Sequence, residues 1–266
     1  MDQRKIKAIF FDVDGTLVGY QSHKINPRDL ESLKKLREKG ILLFIATGRD
    51  LLISRESGVL EPVLPFMTGF VNANGQRCYL SDGTEISYHP LPAEEFIPIR
   101  NVCEANHISI LYYKGHESFV TELTDHVTIF ADYVNIKTPQ VRPIDPDYLS
   151  PQKICIYASP EEEKRLIRPL MKHSFSARNS EHLIDLIPSG IGKDSGIREV
   201  CEWFDISAEE TMAFGDGEND IAMMKTAGVS VAMGNADDRV KSTADYVTAV
   251  TEEAGITLAL EHFGLI

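Results

Sequence analysis

The stretch Ile9-Phe10-Phe11-Asp12-Val13-Asp14-Gly15-Thr16-Leu17 decides the fold, because an apolar strand ends there in two carboxylates and a glycine. Alternate side chains of a strand share a face, so Asp12 and Asp14 are expected together with Val13 turned away. Two converging carboxylates repel each other, and a divalent cation or a shared proton relieves that repulsion. An ordinary turn explains the same residues, since Asp-Gly is a common turn signal. The stretch therefore predicts a strand that ends either in a turn or in an acidic site.

Composition limits the class of protein. The chain has 266 residues, 43% hydrophobic and 25% charged, enough for a sizeable core in one large or two modest domains. Its formal net charge of -13 argues against nonspecific nucleic-acid binding, which rewards clustered basic residues. The four cysteines form no CxxC pair, so a zinc site or disulfide framework is not indicated and a reducing cytoplasm fits best. No signal-peptide core is evident, and no apolar run approaches the roughly 20 residues of a membrane span.

Strand and helix patterns alternate at the two ends of the chain but not in the middle. The alternation over 6–73, resumed after Lys193, predicts parallel strands joined by right-handed crossovers. A hairpin pattern at 76–89 and further short strands and helices follow the first part and indicate a separate α+β unit. We therefore expect a discontinuous first domain, 1–80 and 189–266, interrupted by an α+β insertion at 81–188.

Three more polar segments adjoin strands of the alternating regions, where ligands bind in open parallel sheets. Thr47-Gly48-Arg49 can hold an anion through its hydroxyl and backbone amides, or is simply a strand exit. Lys193 opens a helix after Gly190-Ile191-Gly192, although a lone lysine is usually a solvated charge. A polar loop follows at Gly215-Asp216-Gly217-Glu218-Asn219-Asp220. It can offer oxygen ligands to a hard cation, or it can cap the next helix, which is the role that suits Glu218.

Together, these segments resemble the haloacid dehalogenase (HAD) superfamily. Its members carry DxDxT after the first strand, Thr or Ser after the second, a distant Lys and a late GDxxND loop, and this chain has all four in order. The stretch 17–26 is too short for a cap domain, whereas 143 residues lie between Arg49 and Lys193. The chain is thus similar to the Cof-like group with a type IIB cap, which the run Val231 to Ala236 also matches. The resemblance implies a doubly wound, Rossmann-like α/β core with an inserted α+β cap domain for substrate selection.

The resemblance also implies a role for each motif residue. Asp12 is the nucleophile that forms an aspartyl-phosphate, and Asp14 protonates the leaving group and then deprotonates water. The implied cofactor is Mg²⁺, held by the Asp12 carboxylate, the Asp14 backbone carbonyl and Asp216, with Asp220 outside direct coordination. The residues expected to contact the substrate phosphate are Thr47, Gly48, Lys193 and Asn219.

The implied function is a phosphatase for small phosphorylated metabolites, such as sugar phosphates or phosphorylated cofactors and their precursors. A phosphotransferase or mutase would use the same residues, and a non-catalytic metabolite sensor is a further alternative. We expect a cytoplasmic monomer or weak homodimer without nucleic-acid or membrane partners.

Two sets of residues leave alternatives open. Asp194 replaces the glycine that often follows the motif lysine, and it either pairs with Lys193 or favours the helix start. The following cap residues could reach a substrate or belong to the cap surface or core: Tyr112, Tyr113, Lys114, His116 and Arg142.

Overall fold

The computed structural model describes residues 5–49, 58–114, 117–133, 136–149, 151, 153–178 and 180–266. The chain divides into two compact units. Unit 1 comprises Met1–Tyr88 and Ile191–Ile266, and unit 2 is His89–Gly190.

Unit 1 is built on an eight-stranded sheet with helices between its strands. The strands are β1 (Ala8–Phe11), β2 (Leu42–Ala46), β3 (Gly69–Asn72), β4 (Arg77–Leu80), β5 (Glu85–Tyr88), β12 (Thr211–Gly215), β13 (Val229–Ala232) and β14 (Tyr246–Val247). The α-helices are α1 (Pro27–Glu38), α5 (Lys193–Trp203), α6 (Ile221–Thr226), α7 (Asp238–Lys241) and α8 (Gly255–His262).

The strand order is β14-β13-β12-β1-β2-β3-β4-β5. All pairings from β14 to β3 are parallel, and β3-β4-β5 is antiparallel. Phe11 at the end of β1 lies beside Phe214 of β12 on one side and Ile45 of β2 on the other. The segments that leave these three strands therefore start at the same edge of the sheet, where open α/β sheets bind ligands.

Apolar cores lie on both faces of this sheet. Ile9 and Phe11 of β1 pack in a cluster with residues of α1 and α8, while Ala8 and Phe10 pack with residues of α5 and α6. A strand buried on both faces reads as a continuous apolar run, which is the pattern that these strands show. The prediction of a doubly wound α/β core is confirmed.

Helix α1 begins and ends as its sequence predicts. The Asn26 side chain accepts a hydrogen bond from the backbone N–H of Arg28 at 3.0 Å, and Pro27 occupies the first turn. Gly40 follows the helix with a φ of 78°, a conformation that costs glycine little. These signals fix the helix that covers one face of β1 and β2.

Unit 2 contains a six-stranded sheet of order β10-β11-β9-β6-β7-β8. Its pairings are antiparallel except that of β7 with β8. The strands are β6 (Ser109–Lys114), β7 (Glu117–Val120), β8 (Gln140–Val141), β9 (Ile154–Tyr157), β10 (Ser174–Arg178) and β11 (Ile184–Pro188). The helices are α2 (Ala93–Ala105), α3 (Asp125–Tyr133) and α4 (Pro160–Glu162), the last continuing as a π turn and a 3₁₀ turn to Leu170.

The domain boundaries differ from the prediction by a few residues. The expected insertion at 81–188 included β5, but β5 pairs with β4 and extends the sheet of unit 1. Unit 2 accordingly begins at His89 and ends at Gly190. The change in sequence pattern near residue 75 marks a change from parallel to antiparallel pairing within one sheet, and the unit boundary comes later.

No helix within the described ranges is long and apolar enough to cross a bilayer.

Candidate active site

The chain turns sharply as soon as β1 ends. The N–H of Val18 donates to the carbonyl of Val13 at 2.8 Å, and the N–H of Gly15 donates to the carbonyl of Val18 at 2.8 Å. Gly15 has a φ of +78°, and a Cβ there would lie 2.1 Å from Asp216 Oδ2. A side chain at this position is therefore excluded by backbone conformation and by the neighbouring carboxylate.

The turn separates the two carboxylates that the sequence placed on one face. Asp14 Oδ2 and Oδ1 accept hydrogen bonds from Arg49 Nε at 2.7 Å and NH2 at 2.5 Å, and both side chains are about 40% exposed. Asp12 is instead directed to Lys193. The expectation of a shared face failed because β1 ends at Phe11, so strand alternation no longer governs the residues after it.

Lys193 is buried at the start of α5. Its Nζ donates to Asp12 Oδ1 and to Asp220 Oδ1 at 2.5 Å each, and its side chain is 0% exposed. Burial alone would lower the pKa of Lys193, but the charges of Asp12 and Asp220 outweigh it and raise that pKa. Lys193 is therefore a charged group inside the site, and the alternative of a solvated surface lysine is wrong.

Asp220 holds several parts of the site in place. One of its oxygens accepts the Lys193 bond, and Oδ2 accepts the backbone N–H groups of Asp216 and Gly217 at 3.0 Å each. Gly215 lets this carboxylate approach, since a Cβ there would lie 2.4 Å from the Asp220 Cβ. Asp220 thus fixes the conformation of the loop after β12 as well as the position of the ammonium group.

Asp216 projects from that loop next to the turn after β1. Its Oδ1 accepts a hydrogen bond from Thr16 Oγ1 at 3.1 Å, and its Oδ2 accepts one from Asn235 Nδ2 at 3.3 Å. Burial and the charge of Asp220 raise the pKa of Asp216 to about 6. Tyr20 donates a further hydrogen bond to Asp216, and burial together with that carboxylate raises the pKa of Tyr20.

Three buried carboxylates fit a divalent metal ion. Asp12, Asp216 and Asp220 each offer an oxygen within 4.8 Å of the others. Burial and the charges of Asp220 and Asp216 raise the pKa of Asp12 against the opposing effect of Lys193. Three carboxylates and one ammonium leave two negative charges uncompensated, and oxygen ligands suit Mg²⁺. The family resemblance implies Asp12 and Asp216 as the ligands and places Asp220 outside direct coordination, where it holds Lys193 and the loop after β12.

Besides Lys193, the predicted phosphate-contacting residues follow strands β2 and β12. Thr47 is buried directly after β2, and its Oγ1 accepts the N–H of Arg49 at 3.1 Å. A Cβ on Gly48 would lie 3.1 Å from the side-chain amide of Asn74, which follows β3. Asn219 is exposed in the 3₁₀ turn Glu218–Asp220 after β12. Asn74, which the sequence did not suggest, therefore lies next to the predicted phosphate-contacting segment, and its N–H donates to the Thr47 carbonyl at 2.9 Å.

Two residues near the end of the chain support the turn after β1. Asn235 Nδ2 donates to the Gly15 carbonyl at 2.8 Å as well as to Asp216. Thr251 Oγ1 also donates to the Gly15 carbonyl, and its N–H donates to Asn235 Oδ1 at 3.2 Å. The run Val231 to Ala236 could have indicated Asn235, whereas no sequence signal pointed to Thr251 or Tyr20.

Asp194 does not compete for Lys193. It lies in the first turn of α5, and its Oδ2 accepts a hydrogen bond from Arg198 NH2 at 2.5 Å. The alternative in which Asp194 pairs with Lys193 is therefore wrong, and a position at the helix start remains, where an acid is favourable.

The predicted cap residues make contacts within unit 2. Tyr112 is buried in its apolar core and donates to the Arg142 carbonyl at 3.2 Å, while the Arg142 guanidinium lies 4.8 Å from the ring centroid of Phe119. Tyr113 accepts a hydrogen bond from Tyr148 at its carbonyl. His116 and the side chain of Lys114 lie outside the described residues.

A family model for haloacid dehalogenase-like hydrolases matches residues 9–260. The chain belongs to this family. The match covers both parts of unit 1 and all of unit 2, so the resemblance seen in four short motifs extends over the fold.

Similar proteins include phosphatases. The 5-amino-6-(5-phospho-D-ribitylamino)uracil phosphatase YcsE of Bacillus subtilis is 30% identical over 98% of this chain and 96% of its own. The HAD phosphatase BT1666 from Bacteroides thetaiotaomicron has a TM-score of 0.89 at 32% identity, covering 100% of this chain and 97% of its own. The HAD subclass IIB sugar phosphatase BT4131 has a TM-score of 0.84 at 34% identity, covering 98% and 100%. The predicted superfamily, Cof-like type IIB group and phosphatase class are confirmed.

Proposed function

We propose that the protein is a Mg²⁺-dependent phosphatase that hydrolyses small phosphorylated metabolites through an aspartyl-phosphate on Asp12. The observation that carries the proposal is the buried contact of Lys193 with Asp12 and Asp220 beside Asp216. A carboxylate held by a buried ammonium at the end of a central strand is fixed in place for attack on phosphorus. Such a covalent route divides one difficult displacement into two easier steps.

In the first step, an Asp12 oxygen forms a bond to phosphorus while the bond from phosphorus to the leaving oxygen breaks. Lys193 already bonds Oδ1, which leaves Oδ2 as the attacking atom. Lys193 also offsets negative charge on the phosphoryl oxygens, and Thr47 and Asn219 donate hydrogen bonds to those oxygens. Lys193 and Thr47 are already held by hydrogen bonds to neighbouring groups, so they need little reorganisation during the reaction.

Asp14 moves the proton in both steps. It gives a proton to the departing alkoxide, and in the second step it takes one from the water that attacks phosphorus and frees Asp12. Both Asp14 oxygens contact Arg49, so proton transfer requires that Asp14 exchange at least one of these contacts. Exposed ion pairs typically contribute about 0–1 kcal/mol, and the bidentate geometry places this pair toward the upper end, so the cost of the exchange is small beside the barrier of the reaction.

Asp12 and Asp216 would hold the metal ion, together with the Asp14 backbone carbonyl that the family resemblance implies. When bound, Mg²⁺ supplies positive charge that offsets the repulsion between carboxylate and phosphate. Thr16 and Asn235 keep the two segments that carry these ligands together, and Asp220 does so through Lys193. Hydrogen-bonding partners of metal ligands commonly affect affinity about 10–100-fold.

We infer that unit 1 is the catalytic core and unit 2 the cap that selects the substrate. The relatives act on a ribityl phosphate and on sugar phosphates by their names, which supports a small phosphorylated metabolite as the substrate class. The four cysteines are free and buried, which supports a reducing, cytoplasmic environment. A monomer or weak homodimer remains our expectation.

Replacing Asp12 with asparagine tests the nucleophile. Hydrolysis of p-nitrophenyl phosphate with Mg²⁺ should vanish in Asp12→Asn and persist in the control Asp82→Asn, which alters an aspartate in the exposed turn between β4 and β5. Turnover by purified Asp12→Asn at the wild-type rate would refute the proposal. Complete loss of hydrolysis with retained folding would support it.

A second assay separates the phosphatase from the alternatives. A panel of phosphorylated metabolites, ranked by kcat/KM, should release free phosphate without any added acceptor. Phosphate transfer only when an acceptor is present would indicate a phosphotransferase or mutase. Binding of a metabolite without phosphate release would indicate a sensor.

A further inference from the structure

Two histidines meet in unit 2, away from the residues assigned to catalysis. His126 lies in the first turn of α3, and His182 lies just before β11. Their Nδ1 atoms are 2.8 Å apart, and their ring planes are inclined by 53°. At this distance one of the two nitrogens carries a proton and the other presents its lone pair.

Glu162 lies beside the second ring nitrogen of His126 and biases the position of its proton. Its Oε2 lies 3.6 Å from His126 Nε2 on the side of the ring that faces away from His182. The N–H and Oγ of Ser159 donate to this same oxygen at 2.8 and 2.7 Å, so the carboxylate is fixed by a capping box. A fixed negative charge beside Nε2 favours the proton there and leaves the lone pair on Nδ1.

The arrangement has the parts of a histidine metal site. A carboxylate behind an imidazole orients the ring and raises the basicity of the opposite nitrogen. In the metal-free pair, His182 donates its Nδ1 proton to His126. A metal ion would take the place of that proton at Nδ1. The proton would move to His182 Nε2 through exchange with water, so the two neutral imidazoles would bind the ion without net proton release.

We propose that His126 and His182 form a binding site for a divalent transition metal ion of the zinc, nickel or copper class, with water completing its coordination. Imidazole nitrogen suits these ions, whereas Mg²⁺ prefers oxygen. Ligation by both Nδ1 atoms at about 2.0–2.1 Å in tetrahedral geometry puts them about 3.3 Å apart. The rings therefore need to separate by only about half an ångström from the 2.8 Å seen here.

Such an ion would connect two separate parts of unit 2. His126 belongs to a helix that packs through Val127 against the sheet, and His182 precedes β11, the second strand of that sheet from its β10 edge. Metal binding would join these segments across a separation of more than fifty residues. A cross-link between residues far apart in the chain removes more conformational entropy from the unfolded state than one between close residues. Binding of the ion should therefore raise the stability of unit 2.

The test uses the full-length protein, stripped with chelator and returned to excess Mg²⁺ so that the acidic site is saturated. Zn²⁺ is titrated by calorimetry, and Co²⁺ by its visible absorption, into wild type and variants. His182→Ala and His126→Ala should each lose one equivalent of bound ion. Glu162→Gln retains the capping box, because glutamine also serves at this position, but it removes the negative charge beside His126. It should therefore weaken metal binding about 10–100-fold. The matched control is His107→Ala, because His107 is exposed and contacts Glu122.

The result that overturns the proposal is equal stoichiometry and affinity in wild type and in His182→Ala. Equal losses in His182→Ala and His107→Ala would also overturn it, because they indicate nonspecific surface binding. If the alanine variants do not fold, ¹⁵N spectra of wild type decide. Zn²⁺ should shift the Nδ1 signals of two of the eight histidines, and uniform broadening of all of them would contradict the site.

Discussion

Replacing Lys193 with methionine tests whether its ammonium group stabilises the acidic site. Lys193 Nζ lies 2.5 Å from both Asp12 Oδ1 and Asp220 Oδ1, and the side chain is fully buried. Methionine has a similar length but no charge, so the two carboxylates would face each other without the cation between them. Leaving a buried charge without its partner costs about 3–5 kcal/mol, and we expect about 3 kcal/mol because protonation absorbs part of the cost.

The loss of stability should depend on pH in a defined direction. Lys193 lowers the pKa of Asp12 against burial and Asp220, so its removal raises that pKa further. A carboxyl whose folded pKa is raised contributes stability below its unfolded pKa and loses it as pH rises through the folded value. The pKa of Asp12 is about 8 with Lys193 present, so the part of the deficit due to Asp12 should be small near about pH 5 and develop as pH rises through about 8, being large near about pH 9.

Tryptophan fluorescence can follow this unfolding in unit 1 alone. The chain has one tryptophan, Trp203, at the end of the helix that Lys193 begins. A loss of about 3 kcal/mol lowers the thermal midpoint of a unit this size by about 6–12 °C. The control Lys225→Met removes an exposed lysine and should stay within about 0.5 kcal/mol. If Lys193→Met melts like the control at both pH values in EDTA, the electrostatic role of Lys193 is refuted.

Three further predictions concern the same site. Asp14→Asn should lower kcat for p-nitrophenyl phosphate about 10²–10⁴-fold, because it removes the group that transfers the proton. Its Mg²⁺ affinity, measured by calorimetry, should be unchanged, because the Asp14 side chain contacts Arg49. Asn235→Ala should raise the Mg²⁺ concentration for half-maximal activity about 10–100-fold, because Asn235 bonds Asp216; an unchanged activation curve would contradict this. Without metal, the wild-type melting midpoint should fall between about pH 4 and pH 6. The reason is that the pKa of Asp216 is raised to about 6, so its stabilising protonation is lost in this range, and Mg²⁺ should reverse the fall.

The sequence predicted the core of the fold because its strands are buried on both faces. Continuous apolar runs such as those of β1 and β2 are typical of strands covered on both faces, and their alternation with helices indicates a parallel sheet. The hairpin at 77–88 was harder to assign, because half-exposed antiparallel strands look alike at the edge of one sheet and in a separate domain. Only pairing of β4 with β3 decides that it belongs to unit 1.

The residues of the candidate site could be predicted where a charged side chain stands at a position in the sequence where it is uncommon. Acidic residues after an apolar strand and a lysine after a glycine-rich turn are such signals, and the structure brings Asp12, Lys193 and Asp216 together. The direction of Asp14 toward Arg49 was not predictable, since it depends on how the chain turns after residue 11. The contacts of Tyr20 and Thr251 with this turn depend on tertiary packing alone, which leaves no local pattern.

The order of strands in unit 1 has a consequence for synthesis of the chain. Strand β1 lies between β2, made soon after it, and β12, which comes about two hundred residues later. At about 5–20 residues per second, β1 waits at least ten seconds or so on the ribosome with one edge unpaired. Unit 2 is continuous and can fold during this wait. The nascent chain therefore carries an exposed apolar strand edge, and a chaperone or the ribosome surface that covers β1 would protect it from aggregation until β12 emerges.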